Sequence, residues 1–210
     1  MTNGEWLNGH EGCRTGCGGD ADGIEIETAP RTDMWQRTYY GFRVSNAPCY
    51  LWSREDDFSI TCRVDFQYEN RFDQCGLVLI MDDENWFKVS VEYENERYSR
   101  LGSVVTNTGY SDWATRDVPT PRSIWYRLSR RGPDFLAESS AEGSEFAQMR
   151  VFHMHTLGST TEAMGRMEPG AILPAPVRFG LYACSPLESS FTARFSQITR
   201  GSSKWEPHRE

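Results

Sequence analysis

The sequence predicts an all-β protein, built as a sandwich or a barrel. Three observations carry that reading. Apolar and polar residues alternate in segment after segment, the period-two pattern of strands with one face in a core. Clusters of Asp, Asn, Gly and Pro break those segments at short intervals, as turns do. No segment shows a sustained 3.6-residue apolar period or a capped amphipathic stretch, so helices are not expected.

The elements can be justified in chain order. Residues 24–28 and 36–44 read as strands. In residues 58–66, Phe58, Ile60, Cys62, Val64 and Phe66 share one face, and Ser59, Thr61, Arg63 and Asp65 share the other. Residues 75–82 are apolar on both faces, which marks a central strand covered on both sides. The turn Asp82-Asp83-Glu84-Asn85 leads into residues 86–94. There Phe87, Val89, Val91 and Tyr93 must face the core, and Trp86, Lys88, Ser90, Glu92 and Glu94 point the other way. Glu94-Asn95-Glu96 turns the chain into a strand over 97–107, and Ser111-Asp112-Trp113 reads as a polar loop that carries an indole. Further strands are expected at 124–131, 134–139, 146–153, 177–184 and 190–200. Turns at Arg131-Gly132-Pro133-Asp134 and Ala141-Glu142-Gly143-Ser144 separate the first three of these. Residues 156–176 read as one long irregular stretch, a length that usually signals function or decoration. Residues 1–200 are expected to form a single domain and 201–210 a C-terminal tail, with no internal repeat and no linker.

Composition narrows the function classes. A chain of 210 residues can bury a full core. A net charge of −8 disfavours nonspecific nucleic-acid binding and anionic membrane surfaces. Charges interrupt every apolar run before membrane length, and the first residues lack the basic and apolar regions of a signal peptide. A cytoplasmic protein with reduced thiols is therefore expected. Cys62, Cys75 and Cys184 fall inside strands, as small buried hydrophobes do. His10, Cys13 and Cys17 have loose metal-ligand spacing without a fourth ligand, and His153 and His155 form an i, i+2 pair better read as a surface pair. No metal and no cofactor is expected. G-x-S-x-G, a phosphate-cradling glycine loop and H-E-x-x-H are all missing.

Residues 86–94 carry the functional signal. A polar strand face with an embedded Trp is what a sugar-binding concave sheet needs. The indole of Trp86 can stack on the C–H face of a pyranose while charged neighbours bind hydroxyls. An indole covering sheet surface beside a solvated ion pair fits this strand equally well. Glu92 and Glu94 are i and i+2, about 7 Å apart along the strand, a spacing used by paired glycosidase carboxylates. A solvated strand end is the plainer account of those two acids.

Several blocks together resemble a known family. They are Trp6-Leu7-Asn8; Thr32-Asp33-Met34-Trp35; Tyr40-Gly41-Phe42; Phe72-Asp73-Gln74-Cys75-Gly76-Leu77; Asn85-Trp86-Phe87-Lys88 leading to Glu92; Ser103-Val104-Val105-Thr106; Ser111-Asp112-Trp113; Trp125-Tyr126-Arg127 with Arg130-Arg131-Gly132; and Cys184-Ser185-Pro186. In order and spacing they resemble the "regulation of enolase protein 1"-like domain family, over about residues 5–200. The resemblance implies a concanavalin A-like jelly-roll sandwich of two antiparallel sheets with a concave face. It also implies one pocket formed by Thr32, Asp33, Trp35, Asp73, Gln74, Trp86, Lys88, Glu92, Asp112 and Trp113. Trp113 then occupies a polar loop because that loop walls a cleft. Met34 stands where the family has an aromatic, Cys75 where it has Ala, and Ser90 where it prefers Gly, so Ser90 is expected to narrow or re-aim the pocket.

Fold alone does not assign chemistry. The leading expectation is a protein that recognises or processes a saccharide or sugar-like metabolite, with Trp35, Trp86 and Trp113 as platforms. The alternatives are an enzyme using Glu92 as general acid or base with Asp112 or Asp33 as partner, and a non-catalytic regulatory protein. A cleft holding Lys88 also tolerates an anionic metabolite. The expected partner is a small molecule or saccharide, with no nucleic acid and no membrane, and the sequence is compatible with a homodimer.

Overall fold

The computed structural model describes residues 3–17, 23–163, 166–172 and 176–206. In chain order the first strands are β1 (Glu5–Leu7), β2 (Cys13–Thr15), β3 (Ile24–Glu27), β4 (Met34–Gln36), β5 (Arg43–Ser45) and β6 (Cys49–Arg54). Next come β7 (Ser59–Phe66), β8 (Gln74–Asp82), β9 (Asn85–Tyr93), β10 (Tyr98–Asn107), β11 (Tyr110–Pro119) and β12 (Ser123–Arg131). The last are β13 (Asp134–Ser140), β14 (Ala147–His153), β15 (Gly158–Ala163), β16 (Arg166–Ile172), β17 (Val177–Cys184) and β18 (Thr192–Gly201). The one helical piece among the described residues is a 3₁₀ turn at His155–Leu157, and no helix there is long and apolar enough to cross a membrane.

Two seven-stranded antiparallel sheets form the jelly-roll sandwich. The first has the order β1-β6-β17-β8-β9-β10-β11, and the second β14-β13-β12-β7-β18-β3-β2. Strand parity builds the core between them. Phe58 and the inward residues Ile60, Cys62, Val64 and Phe66 of β7 meet Cys75, Leu77 and Leu79 of β8 and Phe87, Val89 and Val91 of β9. Phe58 stacks on Phe179 at 3.9 Å and Phe87 on Phe152 at 4.1 Å, which ties the sheets face to face. Each such fully buried side chain contributes about 1.5–3 kcal/mol.

A second apolar cluster lies on the outer face of the first sheet. The β4–β5 hairpin folds over that face and brings Met34 and Trp35 against Val78, Ile80, Trp86, Val104 and Tyr182. This explains why β8, fourth in its sheet, is apolar on both sides. One side meets the opposite sheet and the other meets the hairpin.

The structure departs from the sequence reading at several places. Residues 36–44 are not one strand. The chain turns between β4 and β5, with Arg37, Tyr39 and Gly41 all at positive φ, which extended structure cannot accommodate. Ser111-Asp112-Trp113 is not a loop but the start of β11. The turn is Thr108-Gly109, both at positive φ, and it closes a two-residue hairpin in which Asn107 pairs with Tyr110. β11 is an edge strand, so its polar residues imitate a loop. β6 has no counterpart in the sequence reading, and the three-residue strands β1 and β2 are too short to show a period. Part of the stretch expected to be irregular, 156–176, forms the β15–β16 pair. Residues 164–165 and 173–175 of that stretch lie outside the described residues, as do 18–19 of the Cys- and Gly-rich segment. Of the expected tail, Gly201 ends β18 and the Lys204 N–H donates to Ser59 Oγ at 2.7 Å. Residues 207–210 lie outside the description.

Candidate functional site

A cavity of about 590 Å³ opens on the outer face of the first sheet, beside the β4–β5 hairpin. Its floor follows from strand pairing. Gln74 of β8 lies opposite Glu92 of β9, which lies opposite Arg100 of β10. Two positions along, Ser90 lies opposite Gly102, and Lys88 opposite Val104, which pairs with Trp113 of β11. Gly102 keeps the floor low. A Cβ there would stand 2.7 Å from the Ala114 carbonyl oxygen, so β10 and β11 could not pair as closely.

The polar centre of the floor is a short hydrogen-bond relay. Ser90 Oγ donates to Gln74 Oε1 at 3.3 Å, and Tyr182 OH donates to the same oxygen at 3.1 Å. With its oxygen so occupied, the Gln74 amide turns its NH₂ group toward Glu92 Oε2 at 3.0 Å and the Phe72 carbonyl at 3.2 Å. Burial pushes the Glu92 carboxyl up to about 7; Lys88 pulls it down, Asp33 pushes it up, Arg100 pulls it down and Glu94 pushes it up. Lys88 Nζ pairs with Asp33 Oδ1 at 3.2 Å. Burial pulls the Lys88 ammonium down, but Asp33 first, then Cys184 and Glu92, outweigh it and hold the group above its ordinary value. The floor therefore presents a fixed ion pair beside a carboxyl that changes charge near neutrality. Such a pair of groups can bind hydroxyls and can give or take a proton.

Aromatic rings wall this floor. The Trp35 indole N–H donates to the Thr38 carbonyl at 3.0 Å, and its ring meets Tyr40 edge-on at 5.4 Å. Tyr40 stacks on Phe42 at 5.8 Å. On the far side the Arg100 guanidinium lies 5.6 Å from the Trp113 ring centre, and Arg71 lies 4.6 Å from that of Phe72.

Six of the expected site residues meet in this cavity: Asp33, Trp35, Gln74, Lys88, Glu92 and Trp113. The other four do not reach it. Trp86 has the expected strand face but is fully buried under the hairpin, so it is no platform. Asp73 is also fully buried; it accepts the backbone N–H groups of Glu69 at 3.0 Å and Asn70 at 2.8 Å and the Ser189 hydroxyl at 2.7 Å, so it holds the loop before β8. Thr32 donates to the Ala29 carbonyl at 2.7 Å and accepts the Ser185 N–H at 3.0 Å, a loop clasp. Asp112 alternates with Trp113 along β11, so it points to the other side of the sheet and pairs with Arg150 at 2.6 Å. Glu94 is taken up by Arg71 at 2.5 Å and Arg100 at 3.5 Å rather than forming a pair with Glu92. His153 finds a carboxylate across the sheet, Asp134, at 2.7 Å.

Sequence reasoning missed Arg71, Arg100, Tyr40, Phe42 and Phe72. Arg100 was within reach: once β9 and β10 are paired as a hairpin, parity places it beside Glu92. Arg71 and Phe72 sit in a loop, where no period exists to read.

Comparison with known proteins bears on this arrangement. The family model described as "Protein of unknown function (DUF1349)" matches residues 6–202. The chain belongs to the DUF1349 family. A curated relative is "Regulation of enolase protein 1" of Saccharomyces cerevisiae, 31% identical over 130 residues, which are 61% of this chain and 63% of that protein. The chain thus covers less than two thirds of that relative. The crystal structure of a functionally unknown protein from Saccharomyces cerevisiae superposes with a TM-score of 0.78 at 24% identity, over 95% of this chain and 96% of the other. A xylan beta-1,4-xylosidase from Bacillus halodurans matches with a TM-score of 0.61 at 11% identity, over 85% of this chain and 32% of the enzyme. The GH43 BlXynB protein from Bacillus licheniformis gives 0.61 at 15%, again over 85% of this chain and 32% of the other. At those identities the likeness is one of fold: this DUF1349 chain has the β-sandwich that also occurs as about a third of such larger proteins.

Proposed function

We propose that the cavity binds a sugar-like small molecule, with Trp113 and Trp35 as aromatic walls and the Lys88–Asp33 pair as hydroxyl-binding groups. The observation that carries this reading is the composition of the cavity: a fixed polar floor between aromatic walls, in a volume of about 590 Å³ that accommodates one or two pyranose rings. The sandwiches within a xylosidase and a related GH43 protein agree with a saccharide ligand at the level of fold only.

A second reading, an enzyme acting on the same ligand, is favoured by one observation. Glu92 is half-buried, held by Gln74, and pushed up to about 7, the range in which a carboxyl serves as general acid or base near neutral pH. Asp33, not Asp112, is then the neighbouring acid.

The experiment is a thermal-shift screen of the purified protein across sugars, sugar phosphates and common metabolites, followed by titration of the hits. Trp113→Ala is expected to weaken binding of a hit by about tenfold or more while the protein stays folded. Wild-type affinity in that variant overturns the site. Glu92→Gln separates the two readings: a binding protein shows a modest change in affinity, and an enzyme loses roughly a hundredfold or more in turnover while still binding.

A further inference from the structure

The charges around the cavity balance only when Glu92 is ionised. Among the described residues its lining carries four cationic side chains, Arg31, Arg71, Lys88 and Arg100. Arg31 pairs with Glu188 at the rim and Lys88 with Asp33 on the floor. Arg71 and Arg100 share a single carboxylate, Glu94, whose side chain is only 9% exposed. One positive charge is left without a partner unless Glu92 is ionised, and burial favours its neutral form below about pH 7. The chain as a whole carries −8, so at those pH values this is a cationic hollow in an acidic protein. Arg71 and Arg100 each lie against a ring, Phe72 and Trp113. A ring beside a guanidinium restricts its movement, and two guanidiniums carry more N–H donors than the one carboxylate they share can take up, which leaves donors for anionic oxygens.

We propose that the cavity selects a sugar-like ligand carrying one anionic group, a carboxylate or a phosphate, received by Arg71 and Arg100 while Lys88 and Asp33 take its hydroxyls. This rests on the reading of the cavity as a sugar-like site and names the class of ligand within it. The surplus positive charge is then answered by the ligand instead of by Glu92. Glu92 is faced by Lys88 on β9, by Glu94 just past the end of that strand, by Asp33 ahead of β4, by Arg100 on β10 and by the Cys184 thiol on β17. An added anion among these groups favours the neutral carboxyl, so the affinity is expected to fall as pH rises through about 7.

The test compares matched probes by calorimetry and thermal shift: glucuronate and galacturonate against glucose and galactose, with glucose 6-phosphate, inorganic phosphate and acetate as further arms. Proteins compared are the wild type, Arg71→Ala, Arg100→Gln and Arg100→Lys, each checked for its native near-ultraviolet circular dichroism. The acidic sugars or the sugar phosphate are expected to bind about tenfold or more tightly than the neutral parents, and Arg71→Ala and Arg100→Gln to remove that preference. Which of the two acidic arms binds tells carboxylate from phosphate. Neutral parents binding as well as their acids overturn the inference and leave the sugar reading standing. Inorganic phosphate or acetate matching the acidic sugars overturns the sugar reading and leaves the anion site. No binding in any arm overturns both. If Arg100→Gln fails to fold, the preference in Arg71→Ala, whose parent side chain is half exposed, decides alone.

Discussion

Trp86 shares its strand face with Lys88, Ser90 and Glu92, yet none of its surface reaches solvent. It fills the space under the hairpin, and its indole N–H has no hydrogen-bond partner. Trp86→Ala is therefore expected to lower stability by about 3–5 kcal/mol, read as a shift in the urea midpoint. A variant that keeps wild-type stability would show the residue to be less enclosed than described. Glu92 makes the opposite kind of prediction, one about pH. The folded protein holds its proton more tightly than the unfolded chain, whose carboxyl titrates near 4.5. Stability from this group is complete below about 4.5, falls as pH rises toward about 7, and levels off above that. From about pH 5.5 to about pH 8 the fall is about 2 kcal/mol, and Glu92→Gln is expected to remove it. Equal pH slopes in wild type and variant would contradict the assignment. Both residues were legible as neighbours on one strand face from parity alone. What parity could not say was which part of that face is roofed, because the roof comes from residues 34–45, about forty positions earlier in the chain.

At the scale of elements, the β4–β5 hairpin decides the site. It belongs to neither large sheet; beside its apolar packing and the Gln36 side-chain N–H donated to the Asp83 carbonyl at 2.9 Å, a buried hydrogen bond ties it to β11: the Gln36 N–H donates to Ser111 Oγ at 2.9 Å, and Ser111 also meets the Thr106 hydroxyl at 2.8 Å. Ser111 is thus one anchor of the hairpin, Trp113 is a cavity wall, and Asp112 between them faces away. Ser111→Ala leaves a buried N–H unpaired and is expected to destabilise by about 1–3 kcal/mol. Amide exchange in β4 and β5 is expected to quicken more than exchange in β8 and β9. Uniform quickening across the sheet would mean that the hairpin has no separate stability. The strands themselves were mostly readable. β7 and β9 follow from alternation and β8 from its continuous apolar run, and the four turns expected between 82 and 144 fall where the chain bends. β11 was not readable, since an edge strand with one solvated side has the composition of a loop. The hairpin read as one strand, since three residues at positive φ leave no signature except Gly41.

For the whole molecule, a single apolar cluster joins both large sheets, from Ile24 and Ile26 of β3 through Phe87 of β9 to Phe195 of β18. Neither sheet can keep its inner face dry without the other. Thermal unfolding is therefore expected to be one cooperative transition, with far-ultraviolet circular dichroism and tryptophan fluorescence changing together. A bound ligand is expected to raise the midpoint by mass action, with a larger shift at higher ligand concentration. Two separated transitions would show that some part of the chain folds by itself. The sequence alone determined the all-β class, the inward faces of the central strands, and the alignment of Lys88, Ser90 and Glu92 on one outward face, because a strand's two-residue period is a local property. Only the tertiary structure decided which of the outward residues line the cavity. Trp86 and Asp73 were lost to burial, Asp112 to strand parity at the sheet edge, and Arg71 and Arg100 were gained, because enclosure and charge balance depend on segments that meet in space without being near in the chain.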